Sequence, residues 1–168
     1  ETLSQQPLTL KMLLRVFCDD GSLPSSRLEL FDTGLRILAT ERVERREEGT
    51  ATDVQVADLM DAAERLACFT LLSGREAIDY GETPTDSALS LQDLEGLPGG
   101  TRHLDDGMLR ALRSSGLCER AGTHRFRFAH RQFSEYLAGR RLATMLPHNA
   151  RGLLASSLGP LDRNSCGP

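Results

Sequence analysis

The side chains best suited to chemistry in this chain crowd into one stretch, residues 118–135. It holds a thiol at Cys118, imidazoles at His124 and His130, and arginines at Arg120, Arg125 and Arg127. A thiol and two imidazoles raise the question of zinc. Their spacing matches no standard finger, and no fourth ligand completes the closed set that a structural zinc requires, so no metal is expected. The order of types in "FRFAHRQFSEYLAGRRLA" says more. Phe126 and Phe128 alternate with Arg125 and Arg127, the period of a strand with one apolar and one charged face. Phe133, Tyr136 and Leu137 then follow at helical spacing. His130 falls where the strand hands over to the helix, and a histidine at a helix start can donate a charge-assisted hydrogen bond to an anion.

Other chemistries are absent from the sequence. A phosphate-cradling P-loop needs closely spaced glycines followed by a lysine. The single lysine, Lys11, lies in a leucine-rich helical segment with no glycine before it. There is no G-x-S-x-G elbow, no H-E-x-x-H helix and no G-x-G-x-x-G turn. The chain is therefore not expected to be an enzyme by itself. Arg110, Arg113, Arg120, Arg125 and Arg127 could contact the phosphates of a duplex. The helix that would enter the groove opens with Asp105 and Asp106 and offers no Asn or Gln for reading bases. Nucleic acid is not the expected partner, and a DNA-binding winged-helix regulator is the alternative reading, with a plain helical adaptor as a third.

These residues must be held by a lean core. The 168 residues are 39% hydrophobic and 26% charged, with no tryptophan and 5% aromatics. That composition fits a soluble globular protein whose interior is built mainly from leucine and alanine. No apolar run approaches the roughly 18 residues of a membrane span. No signal peptide is visible, and Cys18, Cys68, Cys118 and Cys166 form no disulfide-like framework, so a cytoplasmic protein with reduced thiols is expected. The net charge of −4 is uneven: residues 1–100 sum to −10, residues 101–141 to +5 and residues 142–168 to +1. The basic segment could suit a phosphate group or the acidic part of the same molecule.

Helical periods recur along the chain. Leu10, Leu13, Leu14 and Phe17 predict a first helix behind Pro7, closed by Gly21. Ser26 and Glu29 form a capping-box signature ahead of Leu28, Phe31, Leu35 and Leu38. That helix should run out into the charged "ERVERREEG". Asp53 is the expected cap of a third helix with Val56, Leu59, Met60, Ala63 and Leu66 on its buried side, ending at Gly74. Residues 75–103 read as loops around a short helix in "SLQDLEGL". A helix capped by Asp105 and ended by Gly116 follows, then a hairpin turning near Ala121–Thr123, then the final helix. Helix, short helix, helix, hairpin, helix is the element order of a winged helix. The fold class expected is mainly α: a helical domain (1–52), then a winged-helix domain with a small β-hairpin wing (53–146), then a tail (147–168).

With those elements in place, the segment carrying Phe126, Phe128, His130, Phe133, Glu135, Tyr136, Leu137 and Ala138 resembles the winged-helix end of a STAND NTPase of the NACHT type. That family includes the Nod-like receptors and bacterial signalling and defence ATPases. The segment "QPLTLKMLL" is similar to the stretch that leaves the family's nucleotide-binding domain, with Gln5 where the family often has glycine. The resemblance spans about residues 4–146. It implies that the chain, which opens on Glu1, is a piece of a larger protein whose P-loop and acidic Mg²⁺ site lie upstream. It further implies that His130 reaches the β-phosphate of ADP in a closed state, and that Pro7 packs near the adenine. The implied cofactor of the parent is ADP or ATP with magnesium. The implied partners are the nucleotide-binding domain of the same chain and, on activation, further copies in a homo-oligomer, with no membrane involved.

Overall fold

A computed structural model describes residues 7–40, 54–81, 88–90 and 104–145. Five helices are described: α1 (Pro7–Asp20), α2 (Arg27–Thr40), α3 (Val56–Ser73), α4 (Asp106–Ser114) and α5 (Arg131–Met145). Four short strands accompany them: β1 (Ala77–Asp79), β2 (Ala88–Ser90), β3 (Cys118–Gly122) and β4 (Arg125–Phe128). The strands form one mixed sheet in the order β2-β1-β4-β3. β1 runs parallel to β2 and antiparallel to β4, while β3 and β4 form the hairpin. The molecule is thus mainly helical, with a winged-helix-like arrangement in its latter part. No described helix is long and apolar enough to cross a membrane.

The helix ends follow local chemistry. Gly21 takes a left-handed φ of 70° and its N–H bonds the Phe17 carbonyl at 2.9 Å, closing α1. Ser26 Oγ accepts the Glu29 N–H at 3.1 Å, the forward arm of the predicted capping box. The return arm differs: the Glu29 carboxylate accepts from the N–H and hydroxyl of Ser25, both at 2.6 Å, which holds this carboxyl below its ordinary pKa. Asp105 caps α4 by accepting the Met108 N–H at 2.7 Å. Gly74 closes α3 with φ 69°. Asp53 lies outside the described residues, and the residue flanking α3 is Gln55, whose side chain makes no cap. "ERVERREEG", residues 91–97 of "SLQDLEGL" and the tail 147–168 also lie outside them.

One apolar cluster joins the helices to the sheet, with Leu35, Ala63, Leu66, Ile78, Leu112, Leu117 and Leu137 fully enclosed. Two faces differ from the sequence expectation. In α1 the buried residues are Met12 and Val16, whereas Leu10, Leu14 and Phe17 are 45%, 57% and 49% exposed. Outside the stripe of Lys11, Arg15 and Asp19, α1 presents a broad apolar arc, so periodicity leaves more than one choice of innermost residues and the neighbour decides. Gly34 of α2 is buried and lets Met12 lie against it: a Cβ there would sit 2.5 Å from the Met12 methyl. Leu28, placed on the inner face of α2, is 68% exposed. The other correction is that residues 77–79 and 88–90 are strands, not loops, and Ser90 belongs to β2 instead of the predicted short helix.

The Gly34 contact yields a test. The clashing atom is the free end of a flexible thioether, and alanine gains about 1 kcal/mol of helix propensity over glycine. Gly34→Ala should therefore leave stability within about 1 kcal/mol of wild type by urea melting.

Polar contacts bind α5 to both α2 and α3. Arg140 is ion-paired with Asp32 of α2 and, through Nε at 3.2 Å, with Glu64 of α3. Arg141 Nη1 donates to Asp61 at 2.9 Å. Burial raises the Glu64 pKa above its ordinary value, with Asp61 and Asp32 adding to the effect, and Arg140 and Arg141 only partly offset it. A raised folded-state pKa means that the folded protein keeps a proton the unfolded chain has released, so stability falls as pH rises through that window. Glu64→Gln should accordingly flatten the loss between mildly acidic and neutral pH and raise the neutral-pH melting temperature. Melting scans across pH check both.

Candidate functional site

The strand-to-helix junction builds a cleft of about 480 Å³. Its walls are the C-terminal end of α3 with Gly74 and Arg75, the wing residues Glu119 and Arg127, and His130, Arg131 and Ser134 at the start of α5. Each wall has a local cause. The left-handed Gly74 turns the chain from α3 towards β1. The wing is registered by the pairs Cys118↔Phe128 and Glu119↔Arg127, with Phe126 and Phe128 buried on the core face. The Ala129 N–H bonds the Leu117 carbonyl at 2.9 Å, fixing the residue immediately before His130.

His130 is exposed, and it caps α5. Its carbonyl accepts the Phe133 N–H at 3.0 Å, and its Nδ1 accepts the Gln132 N–H at 3.2 Å. A ring nitrogen that accepts is unprotonated, so the neutral imidazole in this geometry carries its proton on Nε2. The ring also leans on Phe133, with centroids 5.9 Å apart. Backbone, cap bond and ring contact together orient the imidazole. A rigid imidazole at the positive end of a helix dipole can donate to an anion.

The cleft's charge is close to balanced. Arg75, Arg127 and Arg131 face Glu76 and Glu119. Arg127 Nε donates to Glu119 at 2.7 Å, Arg131 Nε to Glu135 at 2.8 Å, and Arg75 Nη1 to the Ala88 carbonyl at 3.3 Å. Arg125, on the same strand face as Arg127, pairs with the buried Asp79 at 3.0 Å. Arg125 and Arg127 are thus both engaged within the molecule.

Of the other residues singled out by sequence, Pro7 opens α1, the first helical position its fixed φ suits, and no described α1 residue lines the cleft. Cys118 is buried in β3, and that burial pushes its thiol pKa up to about 12. His124 sits in the wing turn with φ 60°, one residue beyond the predicted turn, its ring edge-on to Tyr80. Among the described residues no three His, Cys, Asp or Glu side chains gather as metal ligands. Sequence reasoning missed Glu119, Arg75 and Arg131 as cleft residues. Glu119 was detectable, since it stands opposite Arg127 once the hairpin register is drawn. Arg75 was not, because its place depends on unpredicted strands.

The comparisons with known proteins leave the site to its own geometry. No family model, curated protein or solved structure matches this chain.

Proposed function

We propose that this chain is the helical and winged-helix portion of a STAND ATPase of the NACHT type, a regulatory module that reads the ADP or ATP state of a nucleotide-binding domain. The observation that carries this reading is His130: exposed, held in one orientation at the start of α5, and facing a cleft between the wing and α3. In this reading Nε2–H donates to the β-phosphate of ADP and keeps the module closed over the nucleotide. Exchange for ATP releases it, and the freed surfaces allow homo-oligomerisation for signalling or defence. The P-loop and magnesium ligands belong to the nucleotide-binding domain, so this region hydrolyses nothing itself. The exposed Leu10, Leu14 and Phe17 give α1 an apolar face that such a domain would cover. Pro7, at the start of that helix, would then lie near the adenine. The ion pairs of Arg125 and Arg127 favour contacts within the protein over duplex binding.

Titrating ADP and ATP into the full-length protein and its His130 variants tests the reading. A nucleotide preference indifferent to His130 would remove it.

A further inference from the structure

Glu119 and Arg127 stand opposite each other across the wing, and both side chains line the cleft with His130. The guanidinium Nε–H already donates to a carboxylate oxygen at 2.7 Å, as it would to a phosphate oxygen. We infer that Glu119 is a built-in competitor for anions: it occupies on Arg127 the place a nucleotide's phosphate would take, and so sets how tightly the cleft holds a phosphate-bearing ligand. The inference rests on the nucleotide reading of the cleft and adds a regulating residue to it.

The physical chemistry favours an exchangeable pair over a fixed one. The side chains of Arg127 and Glu119 are 51% and 42% exposed, and exposed ion pairs are worth little, so a ligand can displace the carboxylate cheaply. A phosphate entering while Glu119 stays in place would meet a like charge. Swinging Glu119 outward removes that repulsion and frees a guanidinium beside the α5 N-terminus. The partner so admitted is a nucleoside di- or triphosphate; an uncharged nucleoside gains nothing from the exchange.

The test is equilibrium binding of ADP and of adenosine to the full-length protein, wild type against Glu119→Gln, Arg127→Gln and His130→Ala, with melting curves for each. Glu119→Gln should bind ADP about two- to fivefold more tightly, the worth of an exposed ion pair. The gain should shrink at high salt and be absent for adenosine. Arg127→Gln, which removes the contested group, should bind ADP more weakly. If Glu119→Gln leaves ADP affinity unchanged while His130→Ala weakens it, this inference fails and the nucleotide reading stands. If His130→Ala also leaves ADP affinity unchanged, the nucleotide reading fails and this inference with it.

Discussion

On the proposed nucleotide reading, replacing His130 with alanine in the full-length protein should weaken ADP binding by roughly 10- to 150-fold. A hydrogen bond to a charged group is worth about 1.5–3 kcal/mol net, and each 1.4 kcal/mol is a decade in affinity. ATP should lose less, because a contact shifts a two-state equilibrium only by its differential affinity for the two states. The variant should also assemble more readily without its trigger. Part of the change has a structural source: alanine also deletes the cap on the Gln132 N–H, a loss of about 0.5–2 kcal/mol of helix stability. His130→Asn separates the two effects. Asparagine is a strong N-cap residue but lacks the reach of the imidazole. His130→Asn should therefore melt near wild type yet lose ADP affinity like the alanine variant. If asparagine restored both stability and ADP affinity, His130 would be a helix cap and nothing more.

The two ends of the site were not equally legible in sequence. The hairpin, the helix start and a histidine between them follow from a period-two segment passing into a helical one, and the structure has all three in that order. Asp105 and Gly74 likewise announce their helix ends through local chemistry. What failed was tertiary. β1 and β2 are three residues each, too short for a period to emerge, and their parallel pairing joins segments that only the fold brings together. The inner face of α1 was misread because its apolar arc is broader than the buried stripe, and the choice of Met12 and Val16 depends on a glycine in another element. Arginine offered a third obstacle. Arg65 and Arg141 are buried, a placement no local pattern encodes for a residue type that is mostly exposed. The Arg141–Asp61 pair, 80 residues apart in sequence, is the kind of contact that pays for such burial.

Among the polar residues, a large stability cost is expected at the least expected one in the sheet. Asp79 is a carboxylate in a strand, a type depleted there, and its side chain is only 5% exposed. The fold uses both its oxygens. Oδ1 accepts the Gly81 N–H at 2.9 Å, closing the turn after β1. Oδ2 accepts from Arg125 Nε at 3.0 Å, across the register pair that joins β1 to the wing. Removing one partner of a buried pair costs about 3–5 kcal/mol. Arg125 is 29% exposed, so water recovers part of its loss, and about 2–4 kcal/mol is expected for Asp79→Ala. At the 2–4 °C per kcal/mol typical of a chain this long, the melting temperature should fall by roughly 5–15 °C. Asp79→Asn keeps an acceptor for the Gly81 N–H and should lose less. In a double-mutant cycle, Asp79→Ala and Arg125→Ala together should cost less than their sum, which isolates the pair. A fall of under about 1 kcal/mol for Asp79→Ala would mean that the Asp79–Arg125 pair contributes little to holding the wing. The consequence reaches the cleft. β4 carries Arg127 two residues beyond Arg125, so loosening this anchor should blunt ADP binding even with His130 in place.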